Sequence, residues 1–176
     1  MRRFPLRSLA LGVVPLIGAL IGGLLLVLVA PVPAAAQSAA QPTPTEVIYF
    51  ADTAPFRAHL GENQQWLEAI VKAMTTGHAD EVTTDELGNL TREIFAAQQG
   101  FAQASPSARL EMYDQLVKTS VDRAYTASVM LLKAQVTESG PKQVSLVKDA
   151  ATYTASSGKL LKEAGDALRD TSLMEQ

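Results

Sequence analysis

The chain carries the sequence PSARLEMYDQLVKTSVDRAYTASVMLLKAQVTE at residues 106–138, its longest helical pattern without an interruption. After Pro106 this stretch contains no Gly and no further Pro, the two residues that most often break a helix. Ser105 is a suitable N-cap before a proline at the first helical position, and Gly140–Pro141 cannot continue a helix. The sequence therefore predicts one long helix over residues 106–138.

This predicted helix has two apolar stripes. The main stripe follows helical spacing and consists of Leu110, Tyr113, Val117, Val121, Ala124 and Leu131. The second stripe lies on the otherwise polar side and consists of Tyr125, Val129, Leu132 and Val136. A simple bundle would leave the second stripe exposed to solvent, so we expect this stripe to be an interaction face. Two groups could bury this second stripe: the segment 47–50 folded back along the helix, or a second copy or partner. The third interpretation is that the stripe stays partly exposed at the end of the helix.

Three further helices are predicted near residues 55–76, 84–102 and 141–169. The second begins with a capping box, Thr83-x-x-Glu86, and Gly100 either ends it or lies inside it. Four helices joined by short connections predict an all-α chain folded as an up-and-down antiparallel four-helix bundle. The first two helices are expected to be shorter than the last two.

The N-terminal region has the pattern of a secretory signal peptide. Arg2, Arg3 and Arg7 precede an apolar run over residues 9–30, and Ala34-Ala35-Ala36 precedes Gln37. We expect cleavage after Ala36 and export across the cytoplasmic membrane, to a periplasmic or extracellular location. The apolar run is long enough to span a bilayer, so a retained N-terminal membrane anchor is the alternative.

Between the signal peptide and the bundle, residues 37–52 are predicted to form an extended or disordered leader. The β-branched and aromatic residues in 46–51 form the only strand-like run of the mature chain. This run lies on the bundle, pairs with another chain or is absorbed into the following helix. The predicted domain division is therefore signal peptide 1–36, leader 37–52, bundle 53–170 and C-terminal tail 171–176.

Composition removes several functional classes. The chain has no cysteine, which excludes a disulfide framework, covalently attached haem and a thiol nucleophile. Acidic residues already outnumber basic ones, 18 to 15, and removal of the signal peptide takes away three arginines. A mildly acidic mature chain argues against nucleic acid or anionic lipid as the main partner.

The only histidines are His59 and His78. A di-metal bundle needs Glu-x-x-His steps, whereas His59 precedes Glu62 in the reverse order. A haem held by His59 with Met130 or Met112 is conceivable, but methionine at helical spacing is usually core filler.

No nucleophile-elbow or phosphate-binding pattern is present in the mature chain. The sequence therefore predicts no catalytic, cofactor-binding or metal-binding residues. The expected function is that of a non-enzymatic bundle that binds a protein, another copy of itself or an envelope surface. One alternative is a bundle that carries a small molecule, haem or metal. The other is a membrane-tethered adaptor or sensor, which requires the N-terminal segment to be retained.

Overall fold

The computed structural model describes residues 41–171 and Leu173. These residues contain four α-helices, a short 3₁₀ helix at Ala79–Glu81 and no strand. The α-helices are α1 Pro44–Thr75, α2 Thr84–Gln103, α3 Glu111–Val136 and α4 Pro141–Asp170. The prediction of an all-α chain with four helices is therefore confirmed. The predicted signal peptide, residues 37–40 of the leader and most of the predicted C-terminal tail lie outside the described residues.

Helix α1 begins well before the predicted start near residue 55. Thr43 and Glu46 form a capping box, and Pro44 occupies the first helical position. The expectation of an extended leader through residue 52 is therefore wrong for residues 44–52, which are the first turns of α1. With 32 residues, α1 is also the longest helix rather than one of the short ones.

Packing explains why the strand-like run is helical. Tyr49 is almost fully buried against the bundle, while Val47 and Ile48 remain exposed on the other side of the helix. Burial of one face stabilises an amphipathic helix more than intrinsic β-preference opposes it. Pro55 lies inside α1 without ending it.

Helix α2 has the Thr83–Glu86 capping box that the sequence predicts. Gly100 lies inside this helix, which continues to Gln103. A β-carbon at Gly100 would overlap the ring of Phe56 on α1. Glycine therefore permits close contact between α1 and α2 at this position.

Helix α3 covers Glu111–Val136, so the predicted start at Pro106 and end at Glu138 are wrong. Residues 104–110 instead form an irregular connection that crosses the start of α1. Ser107 and Arg109 both hydrogen-bond to Glu46, and Leu110 is buried. These tertiary contacts compete successfully with the local Ser-Pro signal for a helix start.

Helices α3 and α4 form the most extensive helix pair. Small residues that are almost fully buried on the two helices allow this close approach; they include Ser120, Ala127 and Ala134 on α3 and Ala150, Ser157 and Ala164 on α4. Also on α4, Gly158 lacks a β-carbon, and this leaves room for the side chain of Gln64 on α1.

Neighbouring helices are antiparallel. On α3 and α4, Ser120 contacts Ser157, and farther along α3 the carbonyl of Ala134 accepts from Gln143. Helix α1 packs against α2 and α4 and touches α3 only slightly. The four helices thus form a ring with a shared apolar core, an arrangement consistent with a four-helix bundle.

The contact at Gly100 generates a stability prediction. We expect Gly100→Ala to destabilise the protein, because overpacking against Phe56 costs about 1–3 kcal/mol. Alanine adds only ~1 kcal/mol of helix propensity in return. Gly88→Ala is the matched control, since it lies on the same helix with no atom within 4 Å of the added β-carbon. Thermal unfolding should show a lower Tm for the first variant and a higher Tm for the second; an equal rise in both would contradict the contact.

Candidate interaction surface

The predicted interaction face lies along α3 on the side that points toward α2. Tyr125, Val129 and Leu132 are half-buried, whereas Val136 at the end of α3 is 77% exposed. Tyr125 and Leu132 also pack against the central core. These two side chains therefore contribute to the fold as well as to the surface.

Helix α2 supplies the neighbours of this face. The rings of Phe95 and Tyr125 lie with their centroids 5.5 Å apart, and Gln98 donates a 2.7 Å hydrogen bond to Asp122. Farther along, the side-chain amide of Gln135 donates to the carbonyl oxygen of Val82. Phe95 remains 45% exposed. We call the set Phe95, Tyr125, Val129, Leu132 and Val136 the apolar strip.

Phe95 was missed by the sequence reasoning, which followed only the main stripe of α2. An aromatic residue immediately after Ile94, outside that stripe, was the available signal. The proposed fold-back of residues 47–50 onto this face is wrong. Tyr49 instead packs against Tyr113 near the beginning of α3, with the ring centroids 6.4 Å apart.

A buried carboxylate joins the start of α1 to the connection before α3. Glu46 is only 1% exposed. Arg109 donates to both of its oxygens, at 2.9 Å and 2.5 Å, and Ser107 and the backbone N–H of Thr43 donate further bonds of 2.9 Å and 2.7 Å. The Arg109 guanidinium, assisted by these other donors, outweighs desolvation and lowers the pKa of Glu46 from 4.5 to about 2.

A second polar chain lies beside this carboxylate. The Tyr49 hydroxyl donates a 2.9 Å hydrogen bond to Asp114, whose other oxygen lies 2.7 Å from the Lys118 ammonium. Burial, reinforced by the bond to Asp114, raises the pKa of Tyr49 far above its ordinary value. Burial also raises the pKa of the neighbouring Tyr113. Both phenols therefore stay protonated, and Tyr49 acts as a hydrogen-bond donor that positions α1 against α3.

A third polar cluster crosses the middle of the bundle. The Ser157 hydroxyl donates to the side-chain oxygen of Gln64 at 2.9 Å, and the Gln64 amide donates to the Thr154 carbonyl at 3.0 Å. Ser120 donates to the Ser157 carbonyl at 2.9 Å and lies 3.0 Å from its hydroxyl. We call Gln64, Ser120 and Ser157 the polar layer, because they connect α1, α3 and α4 at one level.

The polar layer borders a small cavity of about 20 Å³. Its walls combine apolar side chains such as Leu60, Ile94 and Val121 with the nearly buried amide of Asn63. This volume suits a single water molecule rather than an organic ligand. The polar layer therefore aligns the three helices that it connects.

Both histidines lie on the surface. The side chain of His59 is 63% exposed and its ring lies 3.3 Å from Glu62, while His78 similarly contacts Glu81 at 3.2 Å. His59 thus does not face Met130 or Met112 across the core. In the described part of the chain, no group of three or more His, Cys, Asp or Glu side chains is arranged to hold a metal ion.

Comparisons with known proteins add no assignment. No protein-family model, curated protein or solved structure shows a significant match to the chain. None of the helices within residues 41–171 combines the length and hydropathy that a membrane span requires.

The Glu46 contacts predict a specific acid dependence. Because the pKa of Glu46 is lower in the folded protein, at about 2, than its ordinary 4.5, its carboxylate stabilises the fold fully above pH 4.5. That contribution is lost as the pH falls from 4.5 toward 2. We expect Glu46→Gln to lower the free energy of unfolding by about 1–3 kcal/mol at pH 7.

Urea unfolding between pH 7 and pH 2 provides the measurement. The difference in free energy of unfolding between wild type and Glu46→Gln should become smaller as the pH approaches 2. Glu93→Gln, which removes an exposed carboxylate in the interior of α2, is the control and should have little effect at pH 7. A constant difference at all pH values would contradict the role of the charged form.

The polar layer predicts a non-additive pair of substitutions. Ser157→Ala alone leaves the Gln64 oxygen buried without that donor, which costs about 1–3 kcal/mol. Replacing both partners, as Ser157→Ala with Gln64→Leu, removes the unsatisfied group and should recover much of the loss. Denaturant titrations of both variants measure this difference. A double variant no more stable than the single one would contradict the account.

Proposed function

We propose that the protein is an exported, non-enzymatic helical bundle that acts by binding another protein or a second copy of itself through the apolar strip. The observation that carries this proposal is the contact between Phe95 of α2 and the second stripe of α3. Phe95 extends the second stripe of α3, and its ring packs with Tyr125. Partly exposed apolar side chains at helical spacing are typical of surfaces that receive a partner helix.

The three polar clusters support a binding role over a catalytic one. The Glu46 carboxylate has four protein donor contacts, and the pKa shifts keep Glu46 charged and Tyr49 neutral. A general base or a nucleophile needs a group that can exchange protons near its working pH. These groups are instead used for internal contacts between helices.

Export is the second part of the proposal and is supported by the N-terminal sequence pattern alone. Arg2, Arg3 and Arg7 before the apolar run, and the alanines before Gln37, favour cleavage after Ala36. N-terminal sequencing of the protein from its native envelope tests this part. A mature start near Gln37 is expected, whereas an intact N-terminus would favour the membrane-tethered adaptor.

A second candidate function, binding of a small apolar molecule, is favoured by one groove. It lies between the end of α1 and the start of α4 and has a volume of about 320 Å³. Met74, Val144, Val147 and Ala151 supply most of its apolar lining. The groove is at the molecular surface rather than in the bundle interior.

The strip predicts the outcome of a charge substitution. Phe95→Glu with Val136→Glu should disrupt binding, because it places charges on the two most exposed strip positions and leaves the half-buried Val129 and Leu132 unchanged. Loss of the ring contact between Phe95 and Tyr125 should lower the free energy of unfolding by about 0.5–1.5 kcal/mol, so the variant should stay folded with a slightly lower Tm. Val47→Glu with Ile48→Glu is the control, since both residues are exposed on α1, outside the strip and outside the apolar groove.

Light scattering of the purified mature protein measures self-association, and quantitative recovery from native envelope measures partner binding. We expect the strip variant, which should remain folded, to lose either the dimer mass or a specific partner that wild type and control both retain. Identical mass and identical recovered proteins in all three would refute the proposed function.

A further inference from the structure

A groove between the start of α3 and the end of α4 has no role in the fold described above. Its volume is about 540 Å³. The lining residues are Met112, Gln115, Leu116 and Thr119 from α3 and Glu163, Asp166, Ala167 and Asp170 from α4. Met112 is 68% exposed although it lies in a helix of a folded bundle. Apolar side chains and carboxylates are therefore presented side by side; we call this the acidic groove.

Every charged residue that lines the acidic groove is acidic. Glu163 lies 3.6 Å from Lys159, and Asp166 pairs with Arg169, both within α4. The side chains in these two pairs are largely exposed, from 45% to 78%. Exposed pairs of this kind contribute little stability, so an incoming cation can replace the intrahelical partner at small cost.

The position of these carboxylates on α4 is unfavourable for the helix itself. Asp166 lies in the last turns and Asp170 is the final helical residue. The C-terminal end of a helix carries partial negative charge, so acidic groups there are destabilising and basic groups are preferred. Arg169 is the only basic residue in the last turn of α4. Helix stability therefore does not account for the acidic groups, whereas a bound cation would offset their repulsion.

We infer that the acidic groove binds a basic amphipathic helix of a partner protein. Apolar side chains of that helix contact Met112 and Leu116, and its Lys or Arg side chains pair with Glu163, Asp166 and Asp170. The lining residues of α3 extend over two turns, a length that accepts anchors at i, i+3, i+4 and i+7.

This inference rests on the proposed function in one respect only: both take the partner to be a protein. The acidic groove lies on the flank of α3 that faces α4, whereas the apolar strip lies on the flank that faces α2. The acidic lining also disfavours nucleic acid and anionic membranes as occupants, since both present negative charge. The two surfaces can therefore be tested separately.

The test uses the purified mature protein and a fluorescently labelled synthetic helix with Leu on one face and Lys on the other. Fluorescence anisotropy should show binding that weakens as salt increases. Asp166→Asn with Asp170→Asn should weaken binding about tenfold, and Met112→Ser about fivefold. The double Asn variant should also have a higher Tm than wild type without peptide, because it relieves the repulsion at the end of α4.

Two peptides and one protein variant are the controls. A peptide with Glu in place of Lys should not bind, and a scrambled peptide of the same composition, which lacks an apolar face, should bind at least tenfold more weakly. The strip variant Phe95→Glu/Val136→Glu should bind the basic peptide like wild type.

Three results would overturn the inference. Unchanged affinity of the groove variants excludes the groove as the binding site. If the scrambled peptide binds with the same affinity as the amphipathic one, the binding is non-specific charge attraction. Loss of peptide binding in the strip variant, with the groove variants unaffected, places the peptide on the apolar strip; it therefore rejects this inference while leaving protein binding itself intact.

Discussion

The arrangement of the bundle depends on the burial of one carboxylate, that of Glu46. A charged group is stable away from water only when its oxygens are matched by donors, and here Arg109, Ser107 and Thr43 supply them. These bonds connect the first turn of α1 to the irregular residues before α3. They therefore explain both why α1 is so long and why α3 starts late.

The same balance between local preference and tertiary contact determines how much the sequence could reveal. The Thr83–Glu86 box and Pro141 were sufficient to place the starts of α2 and α4, because nothing distant competes with them. Thr43 and Glu46 form an equivalent box that was available in the sequence. This box does not predict the helix start by itself, because the β-branched and aromatic residues that follow the box favour a strand in isolation.

The residues that form the two candidate surfaces were harder to predict from the sequence than the helices. The second stripe of α3 could be read from helical spacing, but its neighbour Phe95 depends on how α2 rotates about its axis. The acidic groove likewise required the register between α3 and α4, which buried small residues such as Ser120 and Ser157 determine. Periodicity within one helix carries no information about this register, so the placement of Met112 and Asp166 in the same groove could not be predicted from the sequence.

The Glu46 contacts also imply an order of assembly. Ser107 and Arg109 lie 61 and 63 residues after Glu46 in the chain. A polypeptide is made from its N-terminus, so the beginning of α1 is synthesised first yet must wait for α2 and the following connection before its carboxylate is paired. Helices α3 and α4, in contrast, are neighbours along the chain and can pair by closing one short loop. The beginning of α1 is thus synthesised first, but its carboxylate can be paired only after the chain has reached Arg109.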